Sequence, residues 1–211
     1  MNAYIHMLRM SLVSLALLGT IGGTTSAGAQ TVTVAPGETV RSVRRMLERL
    51  PYYGVFDFIA FSVDRGVVTL AGYSYEGRLK ADAEMAAKRA SGVKEVANKI
   101  EVLPASQNDD RIRWATYYRI YTDDFLSRYA PGGPSGVLRE LRDERRFPGM
   151  QPVGPYAMHI IVRNGRTMLL GDVDSAADRQ IAEVRAREVT GAFNVENGLM
   201  VAGRGQDGAV K

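Results

Sequence analysis

Residues 62–103 align with residues 161–202 without a gap, at a constant offset of 99 positions. Val63 falls on Val162, Gly66 on Gly165, Leu70 on Leu169 and Gly72 on Gly171. Ala83, Glu84, Ala87, Gly92, Val96, Asn98 and Val102 meet Ala182, Glu183, Ala186, Gly191, Val195, Asn197 and Val201 in the same register. Glycines, a glutamate and an asparagine repeating together with the apolar pattern mark a duplicated folding unit. Whatever this chain folds into, it builds the same small structure twice.

The unit reads locally. Ile59, Phe61 and Val63 alternate with Ala60, Ser62 and Asp64, and Met158, Ile160 and Val162 repeat the pattern, which is strand period. Asn164-Gly165 is a strong two-residue hairpin signal, because both turn positions need positive φ. Arg65-Gly66 occupies the same slot. Val68 and Leu70 continue into the returning strand, and Gly72 is expected to end it where a side chain would block the next helix. From Arg78 to Ala90 the period becomes helical, with Leu79, Ala83, Ala86, Ala87 and Ala90 on one stripe. Gly92 is expected to cap that helix at C′. A third strand follows over 93–103, with Val96, Ile100 and Val102 as expected core contacts.

A helix precedes each unit. In the first, Thr39 is the expected cap; Val40, Val43, Met46, Leu47 and Leu50 share one face, and Arg41, Arg44, Arg45 and Arg49 share the other. Pro51 ends it. In the second, Asp109 or Asp110 is expected to cap a helix through Ile112, Trp114, Tyr117, Tyr118 and Tyr121, with 104–108 as linker. Residues 131–156 carry five prolines and five glycines around a short charged helix, Val137 to Arg146, and read as an insertion at a loop. The tail 203–211 reads as disordered.

The chain begins with Arg9, an apolar run from Leu12 to Ile21, and small residues ending at Ala27-Gly28-Ala29. That order is a secretory leader over 1–29, with cleavage expected before Gln30 and a periplasmic or secreted product. The apolar run is about half the ~20 residues of a spanning helix. The chain has no cysteine, which excludes disulfides, thiolate nucleophiles and zinc fingers. His6 falls in the leader, which leaves His159 as the one histidine of the mature chain, too few for a multi-histidine metal site. The formal net charge of +4 is too small for a generic polyanion binder, and no nucleic-acid partner is expected. The basic residues are mostly arginine, which pairs bidentately with phosphate and carboxylate.

The order helix, strand, turn, strand, Gly, helix, Gly-Val, strand resembles the BON domain. The residues that carry the likeness are VDRGVVTLAG at 63–72 and the 87–102 stretch ending GVKEVANKIEV, with VRNGRTMLLG at 162–171 and GAFNVENGLMV at 191–201 in the second copy. The second copy departs from the pattern at Ala192-Phe193 and in its insertion. The resemblance implies an α+β fold: two tandem α-β-β-α-β units, over 38–104 and 109–202, each a three-stranded mixed sheet covered by two helices. It also implies an exported, non-enzymatic binding module associated with phospholipid membranes and envelope stress, without a cofactor.

Two surfaces are candidates for that binding. Arg41, Arg44, Arg45 and Arg49 would meet anionic phospholipid head groups; the alternative is a solvated face on a core-packed helix. Trp114, Tyr117, Tyr118 and Tyr121, with Phe125, Tyr129, Tyr52, Tyr53, Phe56 and Phe58, would form an interfacial belt or an interaction surface for an envelope protein or a second copy; the alternative is a core stripe. Gly66, Gly72, Gly92, Gly165, Gly171 and Gly191 read as structural. Asp172, Asp174, Asp178 and Glu183 match calcium-loop spacing only in part, since alanines stand at 176 and 177, and Asp174 or Ser175 as a helix cap explains them better. His159 reads as a solvated or sheet-packed side chain. Phosphate-loop, dinucleotide and nucleophile-elbow motifs are absent, so no catalytic residue is assigned.

Overall fold

In a computed structural model the chain is described over residues 36–146 and 149–202. The expected leader and the tail at 203–211 lie outside the described residues. The elements run α1 (Pro36–Leu47), β1 (Phe58–Asp64), β2 (Val67–Ser74), α2 (Gly77–Lys88) and β3 (Glu95–Val102), then α3 (Gln107–Tyr121), α4 (Gly133–Arg146), β4 (Met158–Arg163), β5 (Arg166–Val173), α5 (Ala176–Arg187) and β6 (Asn194–Val201). Each copy makes a three-stranded mixed sheet, β1-β2-β3 and β4-β5-β6, antiparallel at its first pair and parallel at its second. The registers repeat as the sequence does: Val63 faces Val68 and Val68 faces Val96, while Val162 faces Thr167 and Thr167 faces Val195.

The repeated residues have repeated physical roles. Arg65 and Gly66 take φ 48 and 88, and Asn164 and Gly165 take 51 and 74, closing both hairpins with the left-handed pair such turns need. The Gly66 carbonyl then accepts from Lys94 N–H at 2.8 Å, and the Gly165 carbonyl from Phe193 N–H at 2.9 Å, tying each hairpin tip to the start of the third strand. Asn98 donates to the Lys80 carbonyl (2.9 Å) and to Glu84 (3.1 Å), and accepts from Ile100 N–H at 3.1 Å. Asn197 does the same with the Arg179 carbonyl, Glu183 and Leu199 N–H at 2.8, 3.0 and 3.2 Å. The repeated asparagine and glutamate therefore clamp helix to sheet.

Several local expectations are corrected. Gly72 and Gly171 do not make room for a helix: a Cβ there would stand 2.0 Å from the Phe58 carbonyl oxygen and 2.1 Å from that of Ala157, so the neighbouring strand requires them. α1 begins at Pro36 and contains Thr39, which is buried and no cap. The cap of α3 is Ser106, whose Oγ accepts from Asp109 N–H at 3.2 Å. Asp109 instead holds Asn164 N–H and Gly165 N–H at 2.8 and 2.9 Å. α2 ends at Lys88 with Arg89 as its cap, so Gly92 lies in the turn beyond C′. Val102, expected in the core, is exposed.

The first core gathers Val43, Leu47, Val68, Leu70, Ala83, Ala87 and Ile100. The second gathers Ile112, Tyr117, Ile120, Tyr121, Met158, Ile160, Val162, Leu169, Ala182, Ala186 and Leu199, and with them Val55 and Phe56 from the loop between α1 and β1. α3 packs on β4 and α5 as α1 packs on β1 and α2. The two loops that precede β1 and β4 meet as an antiparallel bridge at Gly54 and Val153, residues 99 apart. Val55 N–H donates to the Pro152 carbonyl at 3.0 Å and Gly154 N–H to the Tyr53 carbonyl at 3.2 Å, a pair of bonds related by the same offset, so a local two-fold passes through the bridge. Beyond it the symmetry breaks. Ile160 N–H on β4 donates to the Val55 carbonyl at 2.8 Å, and the first copy's loop lies along the second copy's sheet. This covers β4 on its second face, and His159 and Ile161 are buried where simple alternation placed them outward.

Candidate functional site

α1 presents the arginines by burying what lies opposite them. Val43 and Leu47 are buried, Met46 and Leu50 pack against the first core, and buried Ser42 accepts from Ser91 N–H at 2.9 Å. At 100° per residue, Arg41 and Arg45 then point away from Val43, and Arg44 lies on the side opposite Ser42. Arg49 follows in the turn after the helix. All four are exposed, and among the described residues none forms an ion pair. Glu38 and Glu48, also exposed, reduce but do not cancel the positive charge of this side. The second copy treats arginine differently: Arg128 pairs with Asp178, Arg185 with Asp123 and Arg187 with Glu183. Asp178, with Ser175 as the cap of α5, is thereby committed to structure.

The aromatic stretch divides. Tyr117 and Tyr121 are wholly buried, which corrects their assignment to an interaction surface. The Tyr117 hydroxyl bonds the Tyr156 hydroxyl at 3.1 Å, and the Tyr121 hydroxyl donates to the Met158 carbonyl at 2.6 Å. Burial raises the pKa of both, and lifts that of Tyr156 to about 12, so the network stays neutral. Trp114 is half-buried edge-on against Phe56, with ring centroids 5.5 Å apart. Tyr118 alone of the four is exposed. Phe193, which the sequence marks only as a departure from the family pattern, is 84% exposed and was not among the candidate surface residues.

A junction between the copies was also missed. Asp57 is fully buried; its carboxylate accepts from Gly54 N–H (2.9 Å), Tyr75 N–H (2.6 Å) and Gln151 Nε2 (2.6 Å). Burial pushes it up to about 6, against those bonds. His159 packs against Tyr53 and Phe58, donates from Nδ1 to the Gly54 carbonyl at 3.2 Å, and is lowered by burial to about 4. Arg113 Nη2 donates to the Val162 carbonyl at 2.5 Å with its guanidinium 5.2 Å from the Tyr75 ring centroid. A charged residue inside the apolar run YYGVFDF was the available signal. Nearby, an open groove of about 500 Å³ runs between the copies, lined by Tyr73, Arg163, Arg166, Met168 and Glu196. Asp57 and His159 are held by bonds within the protein, of these three side chains only Arg113 keeps a buried nitrogen, Nε, without a partner among the described residues, and the junction reads as a joint. Among the described residues no helix is long and apolar enough to cross a membrane.

The BON domain profile matches the chain over residues 39–104 and 141–203. Its second match begins inside α4. No curated protein sequence matches. Among solved structures, CdsD, a structural protein of the type III secretion system of Chlamydia trachomatis, matches at 13% identity, with 79% of this chain and 94% of that chain covered and a TM-score of 0.24. The C-terminal domain of CdsD matches at 11% identity, with 77% and 96% covered and the same TM-score of 0.24.

Proposed function

Because the chain belongs to the BON domain family, whose members are generally non-catalytic binding modules, we propose that it is an exported module that docks on anionic phospholipid and serves envelope maintenance or the response to osmotic stress. The observation that carries the reading is the set of four exposed arginines on and just after α1, none of which forms an ion pair among the described residues. Each arginine near an anionic surface contributes about 1 kcal/mol, so the face gives weak docking that salt screens. The apolar side of α1 is spent on the core, so docking is electrostatic and does not insert the helix.

Co-sedimentation of the mature protein with vesicles tests this. Vesicles rich in phosphatidylglycerol should pellet it at low salt, phosphatidylcholine vesicles should not, and changing all four arginines to glutamine should abolish the effect. Failure to pellet on anionic vesicles at low salt overturns the reading. A protein scaffold is the second reading, favoured by the exposure of Phe193, Phe125 and Tyr118. Association through such aromatic groups would persist at high salt, where head-group docking collapses.

A further inference from the structure

The outward edges of β1 and β4 correspond residue for residue at the offset of 99, and they are treated differently. On β4 every alternate outward position carries a partner. The Met158 carbonyl accepts from the Tyr121 hydroxyl, Ile160 N–H donates to the Val55 carbonyl, and the Val162 carbonyl accepts from Arg113. The equivalent positions on β1 are Ile59, Phe61 and Val63. Ile59 N–H donates to the Tyr53 hydroxyl at 3.3 Å, which fixes the parity of the strand. In an antiparallel pair, alternate residues turn both backbone groups away from the partner, so Phe61 and Val63 face outward with Ile59. Among the described residues no group satisfies their N–H and C=O on that side. β1 is also the first strand of its sheet, and Phe58 to Val63 contains no proline, lysine or other charge that would guard an edge.

We propose that this edge of β1 is a strand-addition site for an extended acidic segment of a partner protein. The free backbone groups supply the ladder, and the half-buried side chains of Phe61 and Val63 give alternate apolar residues of the incoming strand a place to pack. Charge selects the partner. Ser42 turns α1 toward the end of α2, and α2 lies over β2 and β3, so Arg44 and Arg41 fall on the β1 side of the helix, where they outnumber Glu48. A second copy offering its own β1 would bring two such arginine faces together, which like-charge repulsion opposes.

The test uses the purified mature chain in vesicle-free buffer, so that its failure is separate from failure of lipid docking. Four labelled peptides are compared by fluorescence anisotropy: one alternating valine and glutamate, one alternating valine and lysine, and two forms of the acidic one N-methylated at alternate residues, one in each register. Amide exchange at Phe61 and Val63 is read alongside. The acidic peptide should saturate, should protect both amides, and should bind about tenfold tighter than the basic one. One N-methylation register should abolish binding, and the exposed double change Arg41→Gln with Arg44→Gln should weaken it while leaving the unfolding midpoint in place. No binding, binding indifferent to both N-methylation registers, or the two amides already protected in the free monomer would overturn the proposal. Protection that grows with protein concentration alone would also overturn it, because that assigns the edge to a second copy.

Discussion

Asp57 and His159 hold opposite ends of one residue. The Asp57 carboxylate takes Gly54 N–H at 2.9 Å, and the His159 ring takes the Gly54 carbonyl at 3.2 Å. Asp57 belongs to the first copy and His159 to the second, so one glycine between them joins the two.

That shared hold predicts two opposing pH dependences. Asp57 rises from 3.8 to about 6, so its contribution to stability is complete below pH 3.8 and is lost as pH rises through 6. His159 falls from 6.5 to about 4, so its contribution is complete above pH 6.5 and is lost as pH falls through 4. Each is worth about 3 kcal/mol, and over pH 4 to 6.5 they nearly cancel. Urea unfolding across that range should show little slope from this pair in the native chain. Asp57→Asn should become more stable as pH rises, and His159→Gln less stable. Slopes of the same sign in both variants would contradict the account.

Phe56 is covalently part of the first copy and sits in the core of the second. Phe56→Ala should cost about 3–5 kcal/mol. The loss should appear in the second copy: amide exchange should quicken in β4 and β5 ahead of β2 and β3. The reverse order would place the phenyl ring's contribution elsewhere.

Asn98 and Asn197 make the same three bonds, so Asn98→Ala and Asn197→Ala should cost similar amounts, about 1–3 kcal/mol each. Thermal and urea unfolding of the two variants measures this. A change under about 0.5 kcal/mol in either would remove the clamp from that copy.

Gly171→Ala should be among the most damaging single changes, at more than about 3 kcal/mol, since the added methyl meets a backbone oxygen and φ is 114. Gly77→Ala is the control. It sits at the start of α2, its methyl would meet only Val102 at 4.0 Å, and it should gain roughly 0.5 kcal/mol. Equal effects from the two would show that the close approach to the Ala157 carbonyl is not maintained in solution.

The fold was legible because duplication wrote it twice. Chance alternation over 59–63 is weak alone, but the same alternation at 158–162, with Gly66 and Gly165 after both, leaves little else to build. The chemistry behind single positions was less legible. Gly72 was read correctly as a place without room, yet the atom in the way is a strand carbonyl, which no period reveals. Asp109 stood where a cap is expected, but a serine three residues earlier reached the helix end first, freeing the aspartate for a hairpin 55 residues away. Among the aromatic residues, spacing alone separates neither Tyr117, sealed in the core, from Tyr118, exposed, nor a loop phenylalanine from its own domain. Phe56 crosses because the pairing at Gly54 and Val153 depends on tertiary contact, and local sequence carries no trace of it.

That crossing has a practical meaning for anyone dividing the gene. A fragment starting at residue 105 would lack the wedge of Val55 and Phe56 in its interior and the backbone cover on β4, and would expose an apolar cleft in their place. The donation runs one way, from the first repeat into the second, so the two have to be made, purified and mutated together.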